Sequence, residues 1–230
     1  MSRQQTNSTQ ALVSTLASQA NRVRRLRSPA QRTAEWLLIS GSYVALVIWL
    51  VSPRADLSVQ LGSVRFLLEQ GSALGAAILS AYCAIALTIP GKGRAVCALA
   101  GIPLGTWLLS LGQGCWQSFA EKGVDGLQLA PDWVCLPGIA LVGSVPALAI
   151  VVLVRQGAPM LPRITLALAI LAAAAFGNFG LRFFHAQDAS LMVLVWQFGT
   201  VALFTMIGGL LGRHILNWRH MKRTTVQRRK

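Results

Sequence analysis

Side chains able to ligate a metal or attack a bond are few in this sequence, and their spacing argues against both roles. The histidines are His185, His214 and His220, and the cysteines are Cys83, Cys97, Cys115 and Cys135. No HExxH pair, nucleophile elbow or phosphate-cradling loop occurs. The local geometries that activate a metal-bound water, a serine or a nucleotide are therefore missing. The acidic residues Glu35, Asp56, Glu69, Glu121, Asp125, Asp132 and Asp188 are scattered, whereas acid chemistry inside a membrane needs paired charges held at depth. Cys115, Cys135 and His185 are the best ligand candidates. They are three unlike side chains on three segments, without the close spacing of a zinc site. The sequence thus predicts no enzyme, no cofactor and no resident metal.

The elements that must carry these residues are overwhelmingly apolar. Hydrophobic residues make up 54% of the chain and charged ones only 12%, against about a quarter charged in a soluble domain. Six apolar stretches approach the ~20 residues that span a bilayer as a helix. They cover roughly 34–51, 66–89, 95–114, 133–154, 164–181 and 189–211. The sequence therefore predicts an all-α polytopic membrane protein of six transmembrane helices over 34–211. A cytoplasmic extension, 1–33, precedes the bundle and a basic cytoplasmic tail, 212–230, follows it. Short segments rich in Pro and Gly separate the spans, as turns at a membrane surface require. Gly71-x-x-x-Gly75 and Gly101-x-x-x-Gly105 predict close packing within the bundle, and Gln113, Asn178 and Gln197 predict hydrogen bonds between helices. Arg65 and Glu69, one turn apart, predict an ion pair near the outer end of the second span.

The net charge of +14 can mark a nucleic-acid binder, but the positions of the charges say otherwise. With the N-terminus in the cytoplasm, only Arg54, Arg65, Lys122 and Arg182 of the 21 basic residues face outward. Every inward loop is basic, which is the topology signal of an inner-membrane protein with both termini inside. Trp36, Trp49, Trp116, Trp133 and Trp218 fall near the predicted interfaces, where an indole buries its ring and keeps its N–H wet. The expected surroundings are thus the lipid bilayer of a bacterial inner membrane, with no direct contact to nucleic acid. The first 33 residues have no apolar run near the start, so no cleavable leader is predicted.

Within the extension, residues 1–10 are polar and read as disordered. Leu12, Leu16 and Ala20 then stand at i, i+4 and i+8, which predicts a short helix with one apolar stripe, capped by Ser8 or Thr9. Nothing in the extension can cover that stripe, so it must find a partner or the membrane surface. Arg22, Arg24 and Arg25 follow, then Leu26. The basic run reads either as an anchor to anionic lipid or as part of a docking element. The cysteines divide by compartment. Cys83 and Cys97 belong to the inner halves of their spans and read as buried thiols. Cys115 and Cys135 lie at outer ends, where a disulfide is chemically allowed and two unpaired thiols are equally consistent.

Several short stretches together resemble the NrsF-type negative regulators of sigma factors, a family of six-span bacterial membrane proteins. They are VRRLRSPAQR at 23–32, SPRADL at 52–57, IPGKGR at 89–94, DWVCL at 132–136 and RQGAPMLPR at 155–163, followed by the H-x-x-D segment at 185–188 and Trp196. The resemblance covers nearly the whole chain. It implies that the extension holds an extracytoplasmic-function sigma factor at the membrane and releases it on an outside signal. Carried over by position, the sigma-binding residues are Leu12, Leu16, Arg22, Arg24, Arg25 and Leu26. The family's outer cysteines stand in a W-x-C element and directly after the outer histidine. The first is kept as Cys135, but Ala186 follows His185, so Cys115, Cys135 and His185 are the periplasmic sensor candidates here. A small permease or channel-like protein is the alternative reading. The dry spans and the amphipathic extension favour the regulator.

Overall fold

The computed structural model describes residues 2–18, 26–91, 95–123, 135–185 and 193–216. Among them every regular element is helical. They are α1 Ser2–Ser18, α2 Pro29–Val51, α3 Leu57–Leu61, α4 Val64–Ala86, α5 Ala95–Ala98, α6 Gly101–Lys122, α7 Cys135–Arg155 and α8 Pro162–Leu181, then a π-helical segment, Val193–Phe198, continued by α9 Gly199–Ile215. The described parts of all six predicted spans are mostly helical. Four helical stretches are long and apolar enough to cross a membrane: Pro29–Val51, Leu136–Arg155, Pro162–Leu181 and Leu194–Ile215. Among the others, α4 gives part of its first two turns to Arg65, Glu69 and Gln70.

Local chemistry sets the helix ends. Ser28 caps α2 through a reciprocal capping box with Gln31, both bonds 3.2 Å, and Pro29 opens the first turn, where its missing N–H costs nothing. Pro53 follows the end of α2, after Ser52 at φ 73, a left-handed conformation unusual for a residue with a Cβ. Ser63 caps α4 by accepting from the Phe66 N–H. The predicted third span differs from its reading. A turn at Leu99 and Ala100 divides it into α5 and α6, and α6 runs on through the supposed loop to Lys122. Gln117, Ala120, Glu121 and Lys122 are good helix formers, so hydropathy falls there while the helix persists. It stops at Gly123, which takes φ 59, as a glycine past a helix end does readily.

The long helices alternate in direction between two ends. The end where α2 starts is the proximal end, and the opposite one the distal end. Helix α8 is the hub, packed against α2, α4, α7 and α9. Its sequence LAILAAAAFGNFGL explains why, since small side chains let neighbours approach on every side. A Cβ on Gly177 would lie 2.8 Å from the Ile139 carbonyl oxygen of α7, and one on Gly212 of α9 would lie 2.6 Å from the Arg163 Cα. The two anticipated glycine motifs do less. Gly71, Gly101 and Gly105 face open space, and only Gly75 meets another helix, at Pro103.

Trp36 is also corrected. It is fully buried, edge-on to Phe176 at 5.5 Å, and its indole N–H donates to the Pro146 carbonyl at 2.9 Å. Pro146 has no N–H to offer the Val142 carbonyl one turn back; the indole bonds a different carbonyl, that of Pro146 itself, and so ties α2 to α7. Trp49 and Trp116 are exposed as anticipated, while Trp133 and Trp218 lie outside the described residues. Gln113 is on an exposed face. Gln197 is buried in the π-helical segment with both amide atoms unpartnered among the described residues, and the Asn178 carbonyl oxygen is likewise unpartnered. The hydrogen bonds expected of Gln197 are therefore not made among the described residues.

Candidate functional site

Helix α1 begins at Ser2, so Ser8 and Thr9 lie within it and not at its start, and the stretch read as disordered is helical from its second residue. Ser14 and Thr15 both turn their hydroxyls back onto the Ala11 carbonyl, at 2.9 and 2.8 Å, as such residues inside a helix often do. The apolar stripe is bare. Leu12 and Leu16 are each 59% exposed and Val13 60%, and every side chain described in α1, from residue 9 to residue 18, is exposed. Arg22, Arg24 and Arg25 lie outside the described residues. Leu26 is described and is exposed.

The joint between this arm and the bundle is closely specified. Arg27 pairs with Glu35 across the first turns of α2. Arg32, counted with the basic residues of the cytoplasmic extension, is only 1% exposed. Its guanidinium donates to the Leu153 carbonyl near the end of α7 and lies 3.5 Å from the Thr88 hydroxyl after α4. The Thr88 carbonyl in turn accepts from the Ala158 N–H at 3.1 Å. Gly157, in the RQGAP turn, sits so close that a Cβ there would lie 2.6 Å from the Thr88 Cβ. Three segments of the proximal end thus meet on one arginine at the foot of the arm. The S-x-x-Q capping signature at 28–31 would have placed Arg32 inside a helix.

The distal end holds a second polar cluster. Glu69 of α4 accepts from Arg65 at 3.0 Å, as its spacing predicted, and from Arg182 at 3.0 Å. The second bond joins α4 to the end of α8, and its side chains are 7% and 5% exposed. Arg182 also lies over the Phe66 ring, 5.3 Å from its centroid, a cation–π contact that offsets part of the burial. Beside it, the Gln70 amide donates to the Phe179 carbonyl and the Arg54 N–H to the Phe183 carbonyl. Arg54 clasps Asp56 with two bonds of 2.6 and 2.7 Å. Those bonds hold the Asp56 carboxyl well below the usual range, at about 2.

Of the sensor candidates, Cys115 is a half-buried free thiol on α6, and His185 directly follows the last turn of α8, its N–H bonded to the Leu181 carbonyl at 2.9 Å. Cys135 opens α7, but its side chain lies outside the described residues, as does Ala186. Among the described residues no group of three His, Cys, Asp or Glu side chains is gathered closely enough for a metal ion. The sequence reading found Glu69 and Arg65 but not Arg182 or Arg32, whose partners lie far away in the chain, nor the clasp of Arg54 on Asp56 two residues on.

A family model described as NrsF, negative regulator of sigma F, matches residues 16–218. No curated protein and no solved structure matches.

Proposed function

The chain belongs to the NrsF family, negative regulators of sigma F, and from this premise we propose that it is a membrane-embedded anti-sigma factor. Six spans cross the bacterial inner membrane, with both termini in the cytoplasm. The exposed arm captures an extracytoplasmic-function sigma factor and so keeps it from RNA polymerase. The observation that carries this reading is the bare stripe of Leu12, Val13 and Leu16 on a helix that no other described residue covers. An amphipathic helix of this kind suits a hydrophobic groove on a partner. Arg22, Arg24, Arg25 and Leu26 extend the contact toward the membrane. A signal from outside, read at the distal cluster and at Cys115, Cys135 and His185, releases the partner.

The test is co-purification of the full chain with its sigma factor, with and without Leu12→Asp and Leu16→Asp. Burying a leucine is worth ~1.5–3 kcal/mol in full. With about six-tenths of each side chain open, two leucines contribute roughly 2–4 kcal/mol, or about 30- to 900-fold in affinity. The double variant is expected to insert normally, lose the partner and leave the regulon switched on. A double variant that inserts and still represses fully refutes the docking role of α1.

A further inference from the structure

Arg32 is a buried cation whose donors are only partly met. Its two Nη atoms face the Leu153 carbonyl and, at 3.5 Å, the Thr88 hydroxyl. Its Nε has no partner among the described residues. A buried charged group left short of bonds is costly to hold. The acceptors, in contrast, are met without it. The Leu153 carbonyl also takes the Gln156 N–H at 3.1 Å, and the Thr88 hydroxyl donates to the Ile85 carbonyl at 2.7 Å. The α7 end, the RQGAP turn and Thr88 therefore remain a bonded block if the guanidinium leaves.

A second place for it is at hand. Among the described residues the proximal end holds one carboxylate, Glu35. Glu35 follows Arg32 by three residues on α2, so the two side chains are neighbours on the helix surface, and its charge acts on Arg32. Glu35 is occupied by Arg27, at the root of the arm. One carboxylate thus stands between two guanidiniums, one bound to the bundle and the other at the arm. We propose that these three residues form a switch. Arg32 either holds the block and leaves Glu35 to Arg27, or withdraws, takes Glu35 and unties the root of the arm. The proposal rests on the reading of the arm as the docking element, and it makes the arm's attachment answer to the packing of the α7 end.

The test is amide hydrogen exchange of the full chain in detergent, read at Ser28, Gln31 and Arg32, whose N–H groups are bonded in the capping box and first turn of α2. Arg27→Gln and Glu35→Gln change side chains that are 63% and 35% exposed, and both are expected to insert normally. Each is expected to speed exchange roughly 1.5- to 5-fold, the worth of a screened ion pair. Arg32→Lys keeps a charge that can take Glu35 but lacks the fork that holds two acceptors, and is expected to speed exchange by a similar factor. Arg32→Gln removes the competitor for Glu35 and is expected to leave the wild-type rate. An arginine that merely braces the fold would speed exchange on either replacement, so equal speeding by Arg32→Lys and Arg32→Gln overturns the switch. Should an Arg32 variant fail to insert, the two exposed positions still decide, because unchanged exchange in Arg27→Gln and Glu35→Gln overturns the tie at the root and the switch with it. No sigma factor enters the measurement, so its failure is read separately from failure of the anti-sigma reading, which co-purification reports.

Discussion

Glu69 allows a ranking of three substitutions that sequence spacing alone would treat alike. It accepts from Arg65 on its own helix and from Arg182 across the bundle. Arg65 is 38% exposed while the other two side chains are nearly closed off. Water screens the first pair, so Arg65→Gln is expected to cost only about 0.3–0.5 kcal/mol. Glu69→Gln removes the carboxylate that a buried guanidinium faces, which costs ~3–5 kcal/mol. In a chain of this size that lowers the thermal midpoint by roughly 6–20 °C. Glu69→Leu combined with Arg182→Met removes both charges at once and is expected to recover much of the loss, since a buried ion pair is often no better than apolar side chains of like volume. The assay is thermal unfolding of each variant in one detergent, followed by tryptophan fluorescence. If Arg65→Gln proves as costly as Glu69→Gln, or the double replacement is worse than Glu69→Gln alone, the assignment of a buried α4–α8 ion pair is wrong.

Reporter fusions after Arg94, Arg163 and Lys230 are expected to report cytoplasm, and fusions near Asp125 and Asp188 periplasm; a periplasmic C-terminus refutes the six-span arrangement. Cys115→Ser or Cys135→Ser is expected to alter transcriptional release by thiol-reactive agents while Cys83→Ser and Cys97→Ser leave it unchanged, so an unaltered response in the Cys135→Ser strain removes cysteine chemistry from sensing. Gly157→Ala drives a methyl into Thr88 and is expected to cost about 1–3 kcal/mol. Thr88→Ala in the same chain is expected to restore part of that loss in a thermal melt, and simple additivity of the two changes would refute the contact.

The positions of the six long helices were legible because hydropathy is local: an apolar run of sufficient length declares itself without its neighbours. The Arg65–Glu69 pair was legible for the same reason, being one helical turn apart. What escaped was whatever depends on which helices touch. Arg182 meets Glu69 across 113 residues, Arg32 meets Leu153 across 121 and Trp36 meets Pro146 across 110. Each of the three was read from its flank, as a cation beside a span or an interface ring, because a side chain at a helix end looks the same whether it turns outward or inward. The glycines failed similarly. Gly71-x-x-x-Gly75 and Gly101-x-x-x-Gly105 have the motif, while the tight contacts fall at Gly177 and Gly212, chosen by the partner helix and not by the spacing. On the arm, periodicity revealed the stripe but could not fix the first residue of the helix.

The central place of α8 bears on the order in which this protein can come into being. During synthesis α2, α4 and α7 leave the ribosome before the helix on which all three pack. They can meet one another early, but until residue 181 is made Gly138, Gly143 and the small-residue flank of α4 lack the neighbour they fit. The bundle is thus completed late in translation, around a strut made after most of its neighbours. A message broken before that point yields helices that can enter a membrane but have no hub, which is ready material for quality-control proteases. The arm, in contrast, emerges before the bundle and depends on none of this. In the proposed setting a nascent chain can engage its sigma factor before the portion that senses the outside has formed. New regulator would then be born restraining its partner, and would gain the ability to let go only once α8 is in place.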